Sequence, residues 1–292
     1  MNKGVSVSYE KCSSMKEMNL GDIERFALGF DILHVDEDVK IEIDSSFNFL
    51  EEFSRDKVIY GINTGFGPMT QYKIDDDKLN QLQYNLIRSH SSGTGDVLEE
   101  EYVRAVLVAR INNFFQVKSG ISLGVVEKLT QFLNNRISPE IFEHGGVGAS
   151  GDLVQLAHLA LNLIGEGFVY KDNKRIKTED ALKELGINPL EVKLRDGIGL
   201  LNGTSCMTGI GALNLIYSKR LVNWSIIASS IINEVVEAYN DSFSEGLNKV
   251  KKHPGQRDVA SKMRSFLSDS DLIRQGEELF KSNDELNRSE FS

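Results

Sequence analysis

Three glycine-rich loops set among long helical stretches constrain this chain more than any other feature of it. The first is Val58-Ile59-Tyr60-Gly61-Ile62-Asn63-Thr64-Gly65-Phe66-Gly67-Pro68. Gly61, Gly65 and Gly67 exclude a regular helix there and allow positive φ and close backbone approach. This loop mounts the hydroxyl of Tyr60 beside Asn63 and Thr64. The second, His144-Gly145-Gly146-Val147-Gly148-Ala149-Ser150-Gly151-Asp152, ends on a residue suited to cap the apolar helix Leu153 to Gly165. The third, Arg195 to Thr204, leads into a long helical region, roughly Met207 to Asn248. Loops held by a rigid scaffold carry function more often than the elements they join.

Around these loops the patterning is mostly helical. Two short helical patterns between Leu20 and Phe53 flank an alternating stretch, Val39-Lys40-Ile41-Glu42-Ile43, which reads as a short strand. Helices are expected over Asp76 to Ser89, Glu99 to Phe115 and Gly124 to Asn134, with Pro139 closing the following turn. In the second of these Val103, Val106, Leu107, Arg110 and Ile111 recur at three- and four-residue spacing. Phe168 to Arg175 reads as a hairpin with an Asp172-Asn173 turn, and Thr178 to Leu185 as a helix stopped by Gly186. The fold class is therefore mainly α, with the loops at helix ends and a few short strands. The expected division is a flexible N-terminus over 1–20, a loop-bearing domain over 21–206, the start of a long-helix bundle over 207–274 and a polar tail over 275–292.

Composition narrows the function classes. Lys and Arg number 33 against 43 Asp and Glu, a formal charge of −10, which argues against the basic stripe of a nucleic-acid binder. Cys12 and Cys206 are too far apart for a CxxC metal pair or a disulfide framework. The N-terminus carries no apolar leader segment, and the longest apolar run, Trp224 to Val236, is broken by Ser229, Ser230, Asn233 and Glu234. A cytoplasmic protein without a membrane span is expected.

Three chemistries compete for the second loop. Gly146 to Gly151 matches the letters Gly-x-Gly-x-x-Gly, but Ile141 to His144 is too short and polar for the strand a dinucleotide site needs before it. No Walker A lysine motif occurs either. A serine hydrolase would use Ser150 with His144 or His158, yet the string Gly148-Ala149-Ser150-Gly151 is not a Gly-x-Ser-x-Gly elbow. The third is backbone cyclisation: Gly151 has no side chain to keep its nitrogen from the Ala149 carbonyl. Loss of two waters, one from Ser150, would leave a methylene-bearing imidazolone, an electrophile made without an imported cofactor.

Here the sequence resembles a known family. Gly146 to Leu153 with Leu156-Ala157-His158 is similar to the signature of the aromatic amino-acid ammonia-lyases and their aminomutase relatives. Tyr60 to Gly67 resembles that family's Tyr loop, and Leu201-Asn202-Gly203-Thr204 its Asn-Gly-Thr loop, in the same order and spacing. The similarity runs from about Leu20 to Arg274. Gln155 stands where many members have Pro, in the first turn of a helix. Members are almost twice this length, so the chain reads as an N-terminal portion. It lacks the Tyr-Ser-x-Arg segment and the distal Glu and Gln positions, and is expected to be inactive alone.

The resemblance implies that Ala149, Ser150 and Gly151 form 4-methylideneimidazol-5-one (MIO), with no metal and no nucleotide. It implies Tyr60 as the base for the β-proton and Asn202 near the substrate amine, with helix N-termini gathered nearby. Ser89-His90, followed by a flexible run Ser91 to Gly95, becomes the selectivity pair, and Gly67 a further substrate-binding position; His144 and His158 stay structural. Ser-His favours histidine as substrate, giving urocanate, and leaves tyrosine to p-coumarate open. A homotetramer acting on a small aromatic amino acid is implied, without nucleic-acid or membrane partners. The rival reading is a non-catalytic helical subunit or an inactive fragment.

Overall fold

The computed structural model describes residues 17–67, 70–72, 74 and 78–276. Sixteen helices and strands follow one another within them: α1 (Leu20–Ala27), α2 (Glu37–Ser54), α3 (Leu79–His90), β1 (Thr94–Val97), α4 (Glu100–Phe114), α5 (Leu123–Asn134), β2 (Ser138–Pro139), β3 (Phe142–His144), α6 (Leu153–Leu163), β4 (Phe168–Lys171), β5 (Lys174–Lys177), α7 (Thr178–Glu184), α8 (Asp196–Leu201), α9 (Ser205–Val235), α10 (Glu245–Lys249) and α11 (Pro254–Phe266). The fold is mainly α with a few short strands, as the patterning implies. The chain forms two compact units, one ending at Asn214 and one beginning at Leu215. Asp76, the expected start of α3, lies outside the described residues, as do 1–16 and nearly all of the charged C-terminal stretch.

The first unit is organised around α4. Its 3- and 4-residue spacing suggests one apolar face, but Ala105 and Val108 are buried along with Val103, Val106, Leu107 and Ile111. A helix apolar all round is a core helix. α1 and α5 pack on it, and α2 packs on α5. Burying a side chain such as Phe132 or Leu129 stabilises by about 1.5–3 kcal/mol. α1 begins in a capping box, with Asn19 Oδ1 accepting from the Asp22 backbone and the Asp22 carboxylate accepting from Asn19 N.

The structure corrects several expectations. Val39 to Ile43 is helical, part of α2: Val39 and Ile43 are buried one turn apart while Ile41 is exposed. A strand would have put all three on one side. Pro139 lies in β2, paired antiparallel with β4, where an edge position tolerates its missing N–H. The run from Ser91 to Gly95 is not free: Thr94 opens β1, which pairs antiparallel with β3. The hairpin is as expected, with Asp172 and Asn173 both at positive φ. The long helix stops at Val235 rather than continuing to Asn248. There Glu237 takes φ 51, its N–H bonds to Glu234 O, and Ala238 N bonds to Asn233 O. That is a Schellman end without glycine.

In the second unit, a 3-10 turn (Asn240–Phe243), α10 and α11 enclose a small core of Phe243, Ala260, Leu267 and Ile273. α11 starts with Pro254 in its first turn, where no N–H is needed. Among the described residues no helix is long and apolar enough to cross a membrane, and no group of three His, Cys, Asp or Glu is placed to hold a metal ion.

Candidate active site

Helices α3, α6 and α8 pack on one another. This places the C-terminus of α3 (Ser89, His90), the loop before α6 (Ala149 to Asp152) and the residue after α8 (Asn202) on one small scaffold. The Ala149-Ser150-Gly151 turn is folded back on itself, with Ser150 at φ 68 and Gly151 at φ 88. Ala149 and Ser150 are exposed. Gly151 pairs with Gly203 in an isolated β-bridge, and Asp152 N donates to Gly203 O at 2.8 Å. A Cβ on Gly151 would collide with the Gly203 carbonyl, so the position requires glycine.

Asp152 sits at the N-cap of α6, but its carboxylate makes no cap bond to that helix. Oδ2 instead accepts from Met207 N at 2.9 Å, within the first turn of α9. Asp152 therefore joins two helix N-termini, α6 and α9, beside Gly151 and Gly203. Each terminus contributes partial positive charge to this corner. Cys206, in the same turn of α9, is buried, and burial pushes its thiol up to about 12, with Asp152 adding to the effect. It is an inert thiol.

Asn202 is half-buried; its Nδ2 donates to Ile198 O at 3.2 Å. Tyr60 is 54% exposed and meets Phe66 edge-on, with ring centroids 6.0 Å apart. Its neighbour Gly61, at φ 79, lies against Ile198 of α8: a Cβ would come within 2.6 Å of Ile198 Cδ1. The loop is braced from within by buried Asn63, which donates to Lys57 O and accepts from Ile59 N. Gly67, at φ 54, faces open space and is exposed.

Ser89 and His90 form the last turn of α3. His90 Nδ1 is 2.9 Å from the Leu86 carbonyl, which can only accept. Nδ1 thus carries the proton of the neutral ring and Nε2 is left as an acceptor. Ser89 Oγ donates to the same carbonyl at 3.1 Å. The structure thus unites the Ala149 turn with the Asn202 loop directly and ties the Tyr60 loop to α8. The hydrogen bonds of Ser89 and His90 run to each other and to Leu86.

Two residues outside the expected set hold these pieces. Gln83, fully buried on α3, donates to Gly61 O and accepts from Ile198 N, both at 3.1 Å. Arg110, buried on α4, donates to the carbonyls of Gly199 and Asn202. The signal for Arg110 was a lone charge in the apolar run Val106 to Ile111, and for Gln83 its position one turn before buried Leu86 and Ile87.

His158, on α6, accepts from Gly93 N at Nε2, 2.9 Å away, and packs edge-on against Phe142. It is structural in that sense, tying the chain after His90 to the helix after Gly151. Burial lowers its pKa from the ordinary 6.5, with Glu140 opposing. The unfolded chain therefore binds a proton at higher pH than the folded one. The stability from neutral His158 is complete above pH 6.5 and declines as pH falls from there to the lowered folded value. Melting temperature is expected to drop over that range. His158→Gln keeps an acceptor for Gly93 N without titrating and should flatten the drop; an unchanged slope would reject this role.

The model of the aromatic amino acid lyase family matches residues 18–288. The histidine ammonia-lyase of Staphylococcus saprophyticus is 36% identical over 256 residues, 87% of this chain and 51% of that protein. The histidine ammonia-lyase of Bacillus mycoides is 40% identical over 222 residues, 76% of this chain and 44% of that protein. The crystal structure of tyrosine aminomutase from Streptomyces globisporus matches with a TM-score of 0.87 and 33% identity, covering 94% of this chain and 53% of that one. The chain spans about half the length of the curated relatives it matches. Matched by the family model over nearly all of its length, and with the same helical fold as a solved relative, the chain belongs to the aromatic amino acid lyases.

Proposed function

We propose that this chain is part of an enzyme that eliminates ammonia from an aromatic L-amino acid and is inactive on its own, with histidine to urocanate favoured, and tyrosine to p-coumarate or an inactive helical fragment as the alternatives. The observation that carries the reading is the Ala149-Ser150-Gly151 turn pressed against Gly203, next to Asn202. Two successive positive φ values and a glycine that admits no Cβ are what a ring closure between residues 149 and 151 needs, so the residues present fit MIO. When formed, that group supplies an electrophilic methylene for the substrate's amino group.

The chain's own residues do the rest. Tyr60, half exposed at the loop surface, serves as the base that takes the β-proton. Asn202 orients the amine with its side-chain amide. The open space at Gly67 leaves room for the substrate beside the Tyr60 loop. His90 offers Nε2 to a polar hydrogen on the substrate ring, either an imidazole N–H or a phenol O–H. The resemblance to tyrosine aminomutase supports a second reading in which the ammonia is returned to the β-carbon. A β-amino acid product would identify it.

The surface that supports assembly is on α9, whose Leu221, Trp224, Ile231 and Val235, spaced three, seven and four residues apart, are exposed along one seam. Such a stripe fits helices packed side by side and supports a homotetramer, which we place in the cytoplasm.

The test joins the chain to the C-terminal half that its relatives carry and assays histidine, tyrosine and phenylalanine side by side, following urocanate, coumarate and cinnamate by absorbance. His90→Phe should lower kcat/KM for the polar substrate by about tenfold or more, since an unpaired buried partner costs on the order of 1–3 kcal/mol, and raise it for phenylalanine. Equal wild-type values for all three substrates would remove His90 from selectivity.

A further inference from the structure

Arg110 comes from α4, the most deeply buried helix of the first unit, and ends under the Asn202-Gly203-Thr204 loop. Its guanidinium brackets that loop. It donates to Gly199 O, to Asn202 O at 2.7 Å and to Ser205 Oγ at 3.4 Å. Between those anchors Nη1 lies directly against Gly203: a Cβ there would stand 2.5 Å from it. The cation rests on the Phe114 ring, 4.7 Å from its centroid, and its Nε has no hydrogen-bond partner among the described residues. Burial lowers its pKa to about 10, with Asp152 opposing, so it stays charged at neutral pH. Charge-assisted bonds of this kind are the strong ones, and a core helix places them with little play.

Gly203 in turn bears on Gly151. Its carbonyl lies against the Gly151 Cα and accepts from Asp152 N. The line of contact runs Arg110, Gly203, Gly151, and Gly151 is the residue whose nitrogen must approach the Ala149 carbonyl.

We propose that Arg110 is the positioning residue for maturation: by fixing Gly203 from below, it holds Gly151 in the folded-back turn from which the ring closes. This rests on the function proposed above. In the closure the Gly151 nitrogen bonds to the Ala149 carbonyl carbon, and its proton passes to the oxygen. That hydroxyl leaves as water with the Ser150 N–H proton, leaving a ring C=N bond. The Ser150 hydroxyl leaves as the second water with the Ser150 Cα proton, leaving the exocyclic methylene. No oxidant or reductant enters.

The test follows intact mass against time after synthesis of the full chain. It is read on the protease-resistant fraction, so that misfolded molecules are not scored. Wild type should lose two waters. Arg110→Lys keeps the charge but cannot reach three acceptors at once. Its half-time should lengthen by about a hundredfold, the order that a misplacement of roughly 1 Å costs, with helix content by circular dichroism unchanged. Arg110→Met should stay at full mass. A folded Arg110→Lys that matures at the wild-type rate would overturn the proposal. So would the absence of any resistant fraction in Arg110→Lys, which would make Arg110 a purely structural charge. A wild type that never loses two waters would instead sink the function on which the proposal rests.

Discussion

In the enzyme completed with the C-terminal half of its relatives, Ser150→Ala is expected to keep the full mass of its sequence and to lose activity by several orders of magnitude, while the wild type is lighter by two waters. Alanine has no hydroxyl to expel, so no methylene can form even if Gly151 closes on Ala149. The turn itself should survive, since Ser150 is exposed and its conformation is held by the Gly151–Gly203 bridge and the Asp152 contacts. Its positive φ is a strained one for alanine too, so a small loss of stability is expected. The fall in activity thus reflects lost chemistry rather than lost fold. Three orders of magnitude correspond to about 4 kcal/mol of barrier, which is a modest demand on a group that turns a poor leaving group into a better one. Intact-mass measurement of both proteins with turnover assays on the same preparations checks it. An unmodified protein that turns over its substrate would refute the role of Ser150.

Glycine makes the first two loops legible and marks the ends of α6 and α7, but it misleads in the third: Gly197 and Gly199 lie inside helix α8, where a Cβ would meet Gln83 and Ile121, so the expected loop over Arg195 to Thr204 is mostly a helix. Gly186 ends α7 in a Schellman turn, with Ile187 N bonded to Leu182 O, and glycine at that position is the ordinary signal. α9 ends in the same hydrogen-bond pattern, but with Glu237 in the left-handed conformation. No residue type announces it, so the helix reads through to Asn248. α5 ends in the same form, with Arg136 at φ 54, and there the expected end at Asn134 holds. Val39 to Ile43 fits both a period of two and a spacing of four, and only packing against α5 decides between them.

The site divides in the same manner. Tyr60, Ala149 to Gly151 and Asn202 can be picked out because they sit in motifs. What joins them cannot be read locally. Asp152 looks like the cap of the helix it precedes, yet its carboxylate serves the first turn of α9, at Met207 N, 55 residues along the chain. Arg110 and Gln83 lie in helical periodicity as if they were ordinary core-facing positions. Their roles come from contacts across 92 and 115 residues of chain, which no local pattern carries.

Gln83→Leu is expected to have the second largest effect, and on two quantities together. The Gln83 side chain bonds both the Tyr60 loop and α8: Nε2 donates to Gly61 O and Oε1 accepts from Ile198 N. Gly197 packs so closely that a Cβ there would lie 2.7 Å from Oε1, so there is no room for water to replace the amide. Leucine fills the volume and leaves a buried carbonyl and a buried N–H without partners. Each orphan costs about 1–3 kcal/mol, so stability should fall by about 2–6 kcal/mol, a large part of a typical 5–15 kcal/mol total. Turnover should fall as well in the molecules that remain folded, because Gly61 adjoins Tyr60 and Ile198 fixes Asn202. A purely structural role would lower the melting temperature and leave kcat of the folded fraction unchanged. Gln83→Glu separates the two bonds. Its carboxylate still accepts from Ile198 N but opposes the Gly61 carbonyl with a second acceptor. Protonation turns one oxygen into a donor, so the gap to wild type should narrow as pH falls. Denaturant unfolding across pH, with turnover measured alongside, decides it: equal stability of Gln83→Leu and wild type would show that the two loops are held together by something else.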